Sequence, residues 1–381
     1  MEPTVKGQKQ EDSIMPERVI VAMSGGVDSS VAALLLKNKG YDVIGVTMKL
    51  YSLDTDDLPD YYRGCCTVDD VEDARRVCQI LGIPHYVMNV QEEFQKFVID
   101  YFCSEYQRGR TPHPCIACND KIKFNFLSNR AQSLAAAYVA TGHYARIEHG
   151  LGCLELKKGI DESKDQSYVL YGMGQAELSH TLMPIGGYTK DQIRELATQA
   201  GFPNAGKPDS QDICFIPFGD YKSFLKDRIV SSPGDIVDLQ GSVIGSHEGI
   251  EFFTIGQRKG LGLSGTGDAL YVLEIDSENQ KVVVGPKSGL YKDNFWVSRV
   301  NYVSGIIPDG SVDVQVKIRY QFQKADAVLT NYSDGALIRF NDPQRSITPG
   351  QAAVFYQGDC VLGGGVIEGS VPSRVLTQTN A

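Results

Sequence analysis

The run Ser24-Gly25-Gly26-Val27-Asp28-Ser29-Ser30 constrains this chain more than any other stretch. The apolar residues Val19-Ile20-Val21-Ala22 precede it and a helical pattern, Val31 to Lys37, follows. That order predicts strand, glycine turn, helix. Such a turn gathers backbone amides and small hydroxyls at a helix N-terminus, where unpaired N–H groups and the macrodipole favour an anion such as phosphate. The glycines let the backbone close around a ligand that a side chain would keep away. A Walker loop ends in Gly-Lys-Ser/Thr, which is absent here, and Asp28 stands where that loop carries positive charge. A divalent cation is then the expected intermediary between the carboxylate and phosphates. The bland alternative is an ordinary tight strand-to-helix turn.

Downstream the pattern alternates. The helix is expected to end near Gly40, ahead of the strand Val43 to Met48. A helical face of Val71, Ala74, Val77, Cys78 and Leu81 stops at Gly82 and Pro84, before the strand His85 to Val90. A further helix is expected to turn Phe94, Phe97, Val98, Tyr101 and Phe102 inward, then a loop rich in Pro and Cys from Gly109 to Asp120, another helix, and the strand Tyr138 to Thr141. This alternation predicts an α/β fold with a doubly wound parallel sheet, whose ligands sit at the carboxyl ends of strands. Both Ser24-Gly25-Gly26 and Gly142-His143 fall at such ends. Thr189 and Gln192 form a capping box for a last helix that Gly201 ends.

Beyond Ser231-Ser232-Pro233-Gly234 short alternating runs such as Val282 to Val284, Val312 to Ile318 and Ala353 to Phe355 are separated by Gly, Asp and Asn. They predict two β-rich domains, the last a small β-barrel. The expected division is a tail at 1–16, a catalytic domain at 17–225, a central β-rich domain at 226–293, the barrel at 294–373 and a tail at 374–381. The boundary near 293 rests on Lys292-Asp293-Asn294 read as turn residues. A length of 381 residues calls for two or three such units. The acidic N-terminal stretch lacks the apolar core of a signal peptide, and nine irregularly spaced cysteines do not form a secreted disulfide scaffold, so a reducing cytoplasm is expected. A net charge of -10 speaks against indiscriminate nucleic-acid binding while leaving room for a local basic surface.

Chemistry concentrates in the cysteines. Cys115 and Cys118 lie within one turn of each other, beside Lys121, Lys123 and a helix N-terminus, which favours thiolate. Cys214 follows the polar run Lys207-Pro208-Asp209-Ser210-Gln211-Asp212. Exposed, polar settings are expected for Cys118 and Cys214, whereas Cys78 and Cys153 read as packing residues. Cys65-Cys66 fits a core, loop or functional role equally. Two metal readings compete: Cys115-x-x-Cys118 beside His113 is half of a zinc site, and Cys103-Ser104-Glu105 ahead of Pro114-Cys115-Ile116-Ala117-Cys118 has the elements of a zinc nucleobase deaminase.

The glycine loop resembles the PP-loop of the N-type ATP pyrophosphatases. Further runs narrow the likeness: Gly45 to Tyr51, Thr111 to Asn119 with Ile122-Lys123-Phe124, Ala140 to Arg146, Lys164 to Tyr168, Lys207 to Phe215, Phe253 to Leu261 and Pro349 to Val354. In this order, from about Arg18 on, they resemble the tRNA-specific 2-thiouridylase (MnmA) family. The resemblance implies ATP-dependent adenylation of the wobble uridine at position 2 in tRNAs for Lys, Glu and Gln. A protein persulfide then delivers sulfur, supplied by a cysteine desulfurase or relay protein. It implies ATP, with Mg2+ carried by the nucleotide, at Ala22, Met23, Ser24, Gly25, Gly26, Val27, Asp28, Ser29, Met48 and Gly142. Cys214 bears the persulfide and Cys118 attacks it, freeing sulfide or closing a Cys118–Cys214 disulfide. Further tRNA contacts are implied at His143, Lys164, Asp165, Gln166, Arg319, Tyr320 and Gln351, with His113, Pro114 and Cys115 next to the target base. Many members carry aspartate where this chain has Cys115, so the proton-transfer or positioning role of that carboxylate is open here. Another PP-loop adenylating enzyme of synthetase or amidotransferase type is the alternative.

Overall fold

The computed structural model describes residues 16–51, 68–209, 213–216, 219–263, 269–373 and 375. Cys65-Cys66, Ser210-Gln211-Asp212 and nearly all of the two expected tails lie outside the described residues.

Five parallel strands form the first sheet, in the order His85–Asn89, Asp42–Lys49, Arg18–Ala22, Tyr138–Ala140, Thr181–Leu182. Val19, Ile20 and Val21 are fully buried at its centre, as a parallel strand covered on both faces requires. The strand order reverses between Arg18–Ala22 and Tyr138–Ala140, which opens a crevice at their carboxyl ends. The helix Val27–Asn38 follows the glycine loop at once, four residues ahead of the apolar run that marks it in the sequence, and Gly40 ends it with φ of +87°. The capping box at Thr189 is formed in both directions, Gln192 N donating to Thr189 Oγ1 at 3.4 Å and Thr189 N to Gln192 Oε1 at 2.8 Å.

Three local expectations need correction. Phe97 is exposed rather than inward, because the helix 91–107 is interrupted by a π-helical stretch, Gln95–Ile99. Its wider turn rotates the apolar face and buries Ile99 instead. The segment around the cysteines is not a loop through Asp120. A helix starts at Pro114, with proline in its first turn where a missing N–H costs nothing, and passes into a π-helix, Cys118–Phe126. Lys292-Asp293-Asn294 is not a turn but part of the strand Tyr291–Tyr302, irregular in register between Lys292 and Asn294; a β-bulge carries the same polar residues a turn does.

The C-terminal region bears out the expected barrel. The strands Tyr291–Tyr302, Gly335–Arg345, Ala325–Tyr332, Ser311–Lys317, Ala352–Gln357 and Cys360–Ile367 pair in that order, and the last returns to pair with the first. A hairpin of the preceding region, Ala145–His149 with Leu154–Lys158, extends the barrel sheet through Cys360 and Lys157, and Arg146 bonds Asp359 at 2.7 Å. Between them stands a four-stranded sheet formed by Tyr271–Asp276, Lys281–Gly285, Gly234–Val237 and Val243–His247. Its apolar face is continuous with the first sheet, since Ile236, Val272 and Val284 share one buried cluster with Ile44, Phe102 and Phe215.

Candidate active site

The glycine loop sits at the crevice. Gly25 takes φ of +73°, and a Cβ there would collide with the backbone of Asp70 at the start of the helix Val68–Leu81. Asn204 Nδ2 donates to Gly25 O at 2.9 Å and to Ser30 Oγ at 3.0 Å, fixing the loop from behind. Ser24 N donates to Ser29 Oγ at 3.2 Å, while Gly26, the N-cap of the helix, offers no side-chain cap to the first-turn amides. That leaves the donor set a phosphate needs. Met23 and Val27 are buried, so any part they take in binding comes from their backbone, and Met23 N is itself bonded to Val46 O at 2.8 Å. Ala22 ends the central strand and Met48 lies, nearly buried, in the strand beside it. Gly142 faces the loop so closely that a Cβ would lie 2.7 Å from Ser29 N.

Asp28 is engaged from two sides. Tyr144 donates its hydroxyl to Oδ1 at 2.7 Å, and Lys190 Nζ reaches Oδ1 at 2.8 Å and Oδ2 at 2.9 Å. Burial, then the Asp28 charge, pushes the Tyr144 hydroxyl far above the usual tyrosine range, so it stays a donor. Lys190 also meets Asp209 at 2.7 Å, and Asp209 in turn takes Lys164 at 2.8 Å and Arg194 at 3.3 Å. Burial alone raises the Asp209 carboxyl, but the bonds from Lys164 and Lys190 outweigh it and the group is held below its ordinary value. Lys207 joins the same segment to Asp70 and Asp73, each at 2.7 Å. Tyr144, Lys190, Asn204 and Asp209 received no role from the sequence. Lys190 left one physical signal, since a lysine at the first position of a helix opposes the macrodipole.

Cys118 is 8 % exposed, which overturns the exposed, polar setting expected for it: it opens the π-helix with its side chain against the core. Cys214 is half-buried and packs against the same apolar cluster that contains Cys118. The neighbouring Phe215 anchors it, edge-on to Phe94 at 5.7 Å and Phe102 at 5.4 Å. Cys115 is exposed one turn before Cys118. Cys78 is buried, as expected of a packing residue, and burial pushes its thiol up to about 11. Glu105 does not fit a deaminase acid/base, because Arg110 holds it at 2.8 Å and Arg108 at 3.6 Å.

The segment before Cys115 is gripped by the barrel. Thr111 N donates to Pro349 O at 2.8 Å, Gln351 Nε2 to Thr111 O at 2.8 Å, and Arg110 pairs with Glu368. Gln351 thus serves the backbone here. Pro112 and Pro114 are buried around His113, whose ring lies 5.8 Å from Tyr168 and 6.4 Å from Tyr320; its Nδ1 is buried without a partner, and burial pushes the imidazole down to about 4. Lys317 stands 5.9 Å over both tyrosine rings and Arg319 lies 4.7 Å from Phe322, and burial lowers both cations. His143 is buried and bonded to Thr141 Oγ1 at 2.8 Å; burial, helped by Lys123, keeps it neutral. Asp165 is also buried, accepting from Gly159 N, Ser167 N and Ser167 Oγ, while Gln166 Oε1 accepts from Tyr144 N at 2.9 Å. These three shape the interior behind Tyr144. A cleft of about 700 Å³ opens between the cysteine-bearing helix and the barrel, lined by Lys96, Lys121, Arg299, His113, Tyr101 and Asn301 among others.

Family models match the chain in three parts: a tRNA methyl transferase HUP domain over residues 17–218, a tRNA methyl transferase PRC-barrel domain over 222–286 and an aminomethyltransferase beta-barrel domain over 292–367. The chain is 47% identical over 363 residues to tRNA-specific 2-thiouridylase MnmA of Desulforamulus reducens, covering 94% of this chain and 99% of that one. It is 50% identical over 359 residues to MnmA 2 of Caldanaerobacter subterraneus subsp. tengcongensis, covering 93% and 98%. Among solved structures, NMN synthetase from Francisella tularensis aligns with a TM-score of 0.34 and 19% identity over 58% of this chain and 81% of that one, a likeness too distant to bear on activity.

Proposed function

Because the chain belongs to the tRNA-specific 2-thiouridylase (MnmA) family, we propose that it converts uridine to 2-thiouridine in tRNA. ATP first adenylates the uridine O2, the α-phosphate taking the oxygen and pyrophosphate leaving. The oxygen then departs as part of AMP when sulfur attacks C2. The observation that carries this reading is the placement of two thiols, Cys118 and Cys214, on one apolar cluster that also contains Ile20 of the strand leading into the glycine loop.

In this reading the loop amides and Gly142 cradle the nucleotide. Mg2+ arrives with it: a single carboxylate, Asp28, together with phosphate oxygens suits that ion, which seldom takes an all-protein cage. Among the described residues no cluster of three or more His, Cys, Asp or Glu offers such a cage. Cys214 carries the persulfide, received from a desulfurase or relay protein. The Cys118 thiolate attacks the inner sulfur, the Cys214 persulfide bond breaks, and hydrosulfide leaves to displace AMP at C2. The two cysteines end as a disulfide, which a thiol reductant reopens. Lys317, Arg319 and Tyr320 meet RNA phosphate and base faces, and Gln351 positions the strap that places His113, Pro114 and Cys115 beside the target base. His143 and Asp165 shape the site from within, and Lys164 meets tRNA at its rim. The tRNAs are those for Lys, Glu and Gln, the compartment is the cytoplasm, the first unit ends at about 225, and the second boundary falls ahead of the strand Tyr291–Tyr302 rather than at 293 inside it.

The test is the nucleoside content of tRNA from a strain lacking this protein, with purified enzyme beside it. Wild type restores 2-thiouridine, and Cys214→Ser accumulates adenylated tRNA without thiolation. Thiolation by Cys214→Ser at the wild-type rate removes Cys214 from the mechanism.

A further inference from the structure

Two arginines meet at one end of the barrel with no carboxylate between them. Arg319 follows the strand Ser311–Lys317, and its Nη2 donates to the backbone oxygen of Arg345 at 3.3 Å. Arg345 ends the strand Gly335–Arg345, and its guanidinium lies over the ring of Tyr271, in the central sheet, at 5.5 Å. Both are half-buried, and among the described residues neither forms an ion pair, although the chain carries a net charge of -10. The Nε of Arg345 is buried without a partner. Burial lowers the Arg319 cation, and the Arg345 charge lowers it further. A buried N–H without an acceptor and two neighbouring like charges are both unfavourable, and one anion set against them relieves both.

The backbone is irregular where it presents Arg345. The strand Tyr291–Tyr302 pairs Asn294 with Arg339 and Lys292 with Gln344, so residues 340–343 stand opposite Asp293 alone. Ser346 follows, buried, with φ of +56°, a conformation that a residue with a Cβ seldom adopts. A Cβ on Gly256 of the central domain would lie 2.5 Å from Ser346 Oγ, so the central domain packs on this turn. Irregularities of this kind re-aim a side chain, and this one sets Arg345 between Arg319 and Tyr271.

The chemistry of the pair selects the anion. A guanidinium is a planar fork that binds phosphate through two N–H groups while an aromatic ring covers its face. Tyr271 covers Arg345 in this way and Phe322 lies 4.7 Å from Arg319. Two residues before Arg319, Lys317 stands over Tyr168 and Tyr320, whose rings flank His113. Cations therefore run from the strap before Cys115 to the central domain. A row of them fits the repeating phosphates of an RNA strand better than a single carboxylate.

We infer that Arg319 and Arg345 clamp one backbone phosphate of the tRNA, on a floor that Tyr271 of the central domain supplies. This rests on the tRNA-modifying reading given above, and adds to it Arg345 as a contact residue and a part for the central domain. Such a contact fixes the register of the RNA strand and does not read its sequence.

The experiment measures binding of an unmodified transcript of a tRNA for Lys between about 50 and 200 mM salt. It compares wild type, Arg345→Gln, Arg345→Lys, Arg319→Gln and the Arg319→Gln/Arg345→Gln double variant, with ATP binding and thermal melts beside them. Arg345→Gln is expected to weaken tRNA binding about tenfold at the low-salt end, and Arg345→Lys to recover part of it. Its effect is expected to shrink in the Arg319→Gln background, because one phosphate is shared. The double variant is expected to make the slope of log K against log salt shallower by about 0.7–0.9, the value of a single phosphate. ATP binding stays as in wild type, and the melting temperature does not fall. A merely structural Arg345 lowers the melting temperature and leaves the salt slope alone, which overturns the inference. Wild-type tRNA affinity in Arg345→Gln, additive losses, or a slope change twice as large overturn it as well. So does inorganic pyrophosphate that binds wild type but not Arg345→Gln while the two bind tRNA equally, since the site then takes a free anion. If Arg345→Gln fails to fold, Arg345→Lys decides, and unchanged tRNA affinity there overturns the inference. Wild type that binds no tRNA refutes the thiouridylase reading instead.

Discussion

Replacing Gly142 by alanine tests the phosphate site through its packing. The added Cβ would sit 2.7 Å from Ser29 N, 2.8 Å from Asp28 C and 3.0 Å from Ser29 Cα, all backbone atoms that no rotamer change can clear. Ordinary contact begins near 3.4 Å, so one chain must retreat by about 0.7 Å. Overpacking of this size costs about 1–3 kcal/mol, and the retreat moves the first helical turn whose amides face the ligand. If about half of that cost is relieved in the free protein and the rest, about 0.5–1.5 kcal/mol, is lost from the bound geometry, ATP affinity falls about two- to tenfold, since 1.4 kcal/mol is one decade. Calorimetry of ATP–Mg2+ binding, with a melting curve on the same sample, reads both parts. The same substitution at Gly172, where a Cβ meets nothing within 4 Å, is the control and should bind ATP normally. Gly142→Ala with wild-type affinity and melting temperature would show that the two loops are not packed as described.

His113 gives a pH signature. Its imidazole takes a proton near 4 in the folded protein and near 6.5 when unfolded, so the unfolded state binds more protons between those values and stability falls as pH drops through that window, by about 3 kcal/mol at most. His113→Gln should flatten the melting temperature profile from pH 6.5 to 4 relative to wild type, and parallel profiles would refute the assignment. Cys115→Asp should retain thiolation while Cys118→Ser loses it; equal loss in both, with stoichiometric zinc in the wild type, would favour a metal site. Gln351→Ala removes the donor to Thr111 O, and should raise the KM for tRNA severalfold while leaving ATP binding unchanged.

The fold was largely legible because its signals are local and periodic. The apolar strand before Ser24, the box at Thr189 and Gln192 and the alternation from Val312 to Ile318 each follow from a repeat that physics ties to one backbone shape. What escaped was what those repeats do not encode. A π-helical turn adds a residue without changing composition, so the ordinary helical period points Phe97 inward and leaves Cys118 in a loop. A β-bulge at Lys292 to Asn294 uses the residues of a turn.

The site was legible where function is carried by one short stretch and illegible where it is assembled across distance. The glycine loop announces itself in seven residues, but its charge partner stands at Lys190 and that partner's own counter-ion at Asp209. Neither spacing is a motif, and each residue alone reads as a solvated charge. Burial changes the reading. An ammonium 7 % exposed is tolerated only when it is fully paired, so Asp28 and Asp209 are required by Lys190 as much as they hold it. The same logic applies to the strap before Cys115. Thr111 and Gln351 are unremarkable polar residues 240 positions apart, yet the barrel closes so that one backbone carbonyl and one amide meet, and the cysteine-bearing helix begins three residues beyond that bond. A chain that adenylates a base and then passes sulfur to it needs both reactions within reach of one atom. Fixing that helix to the barrel joins two domains, and fixing the segment 204–209 to the glycine loop holds one domain's distant residues together, so both reactions keep to that geometry.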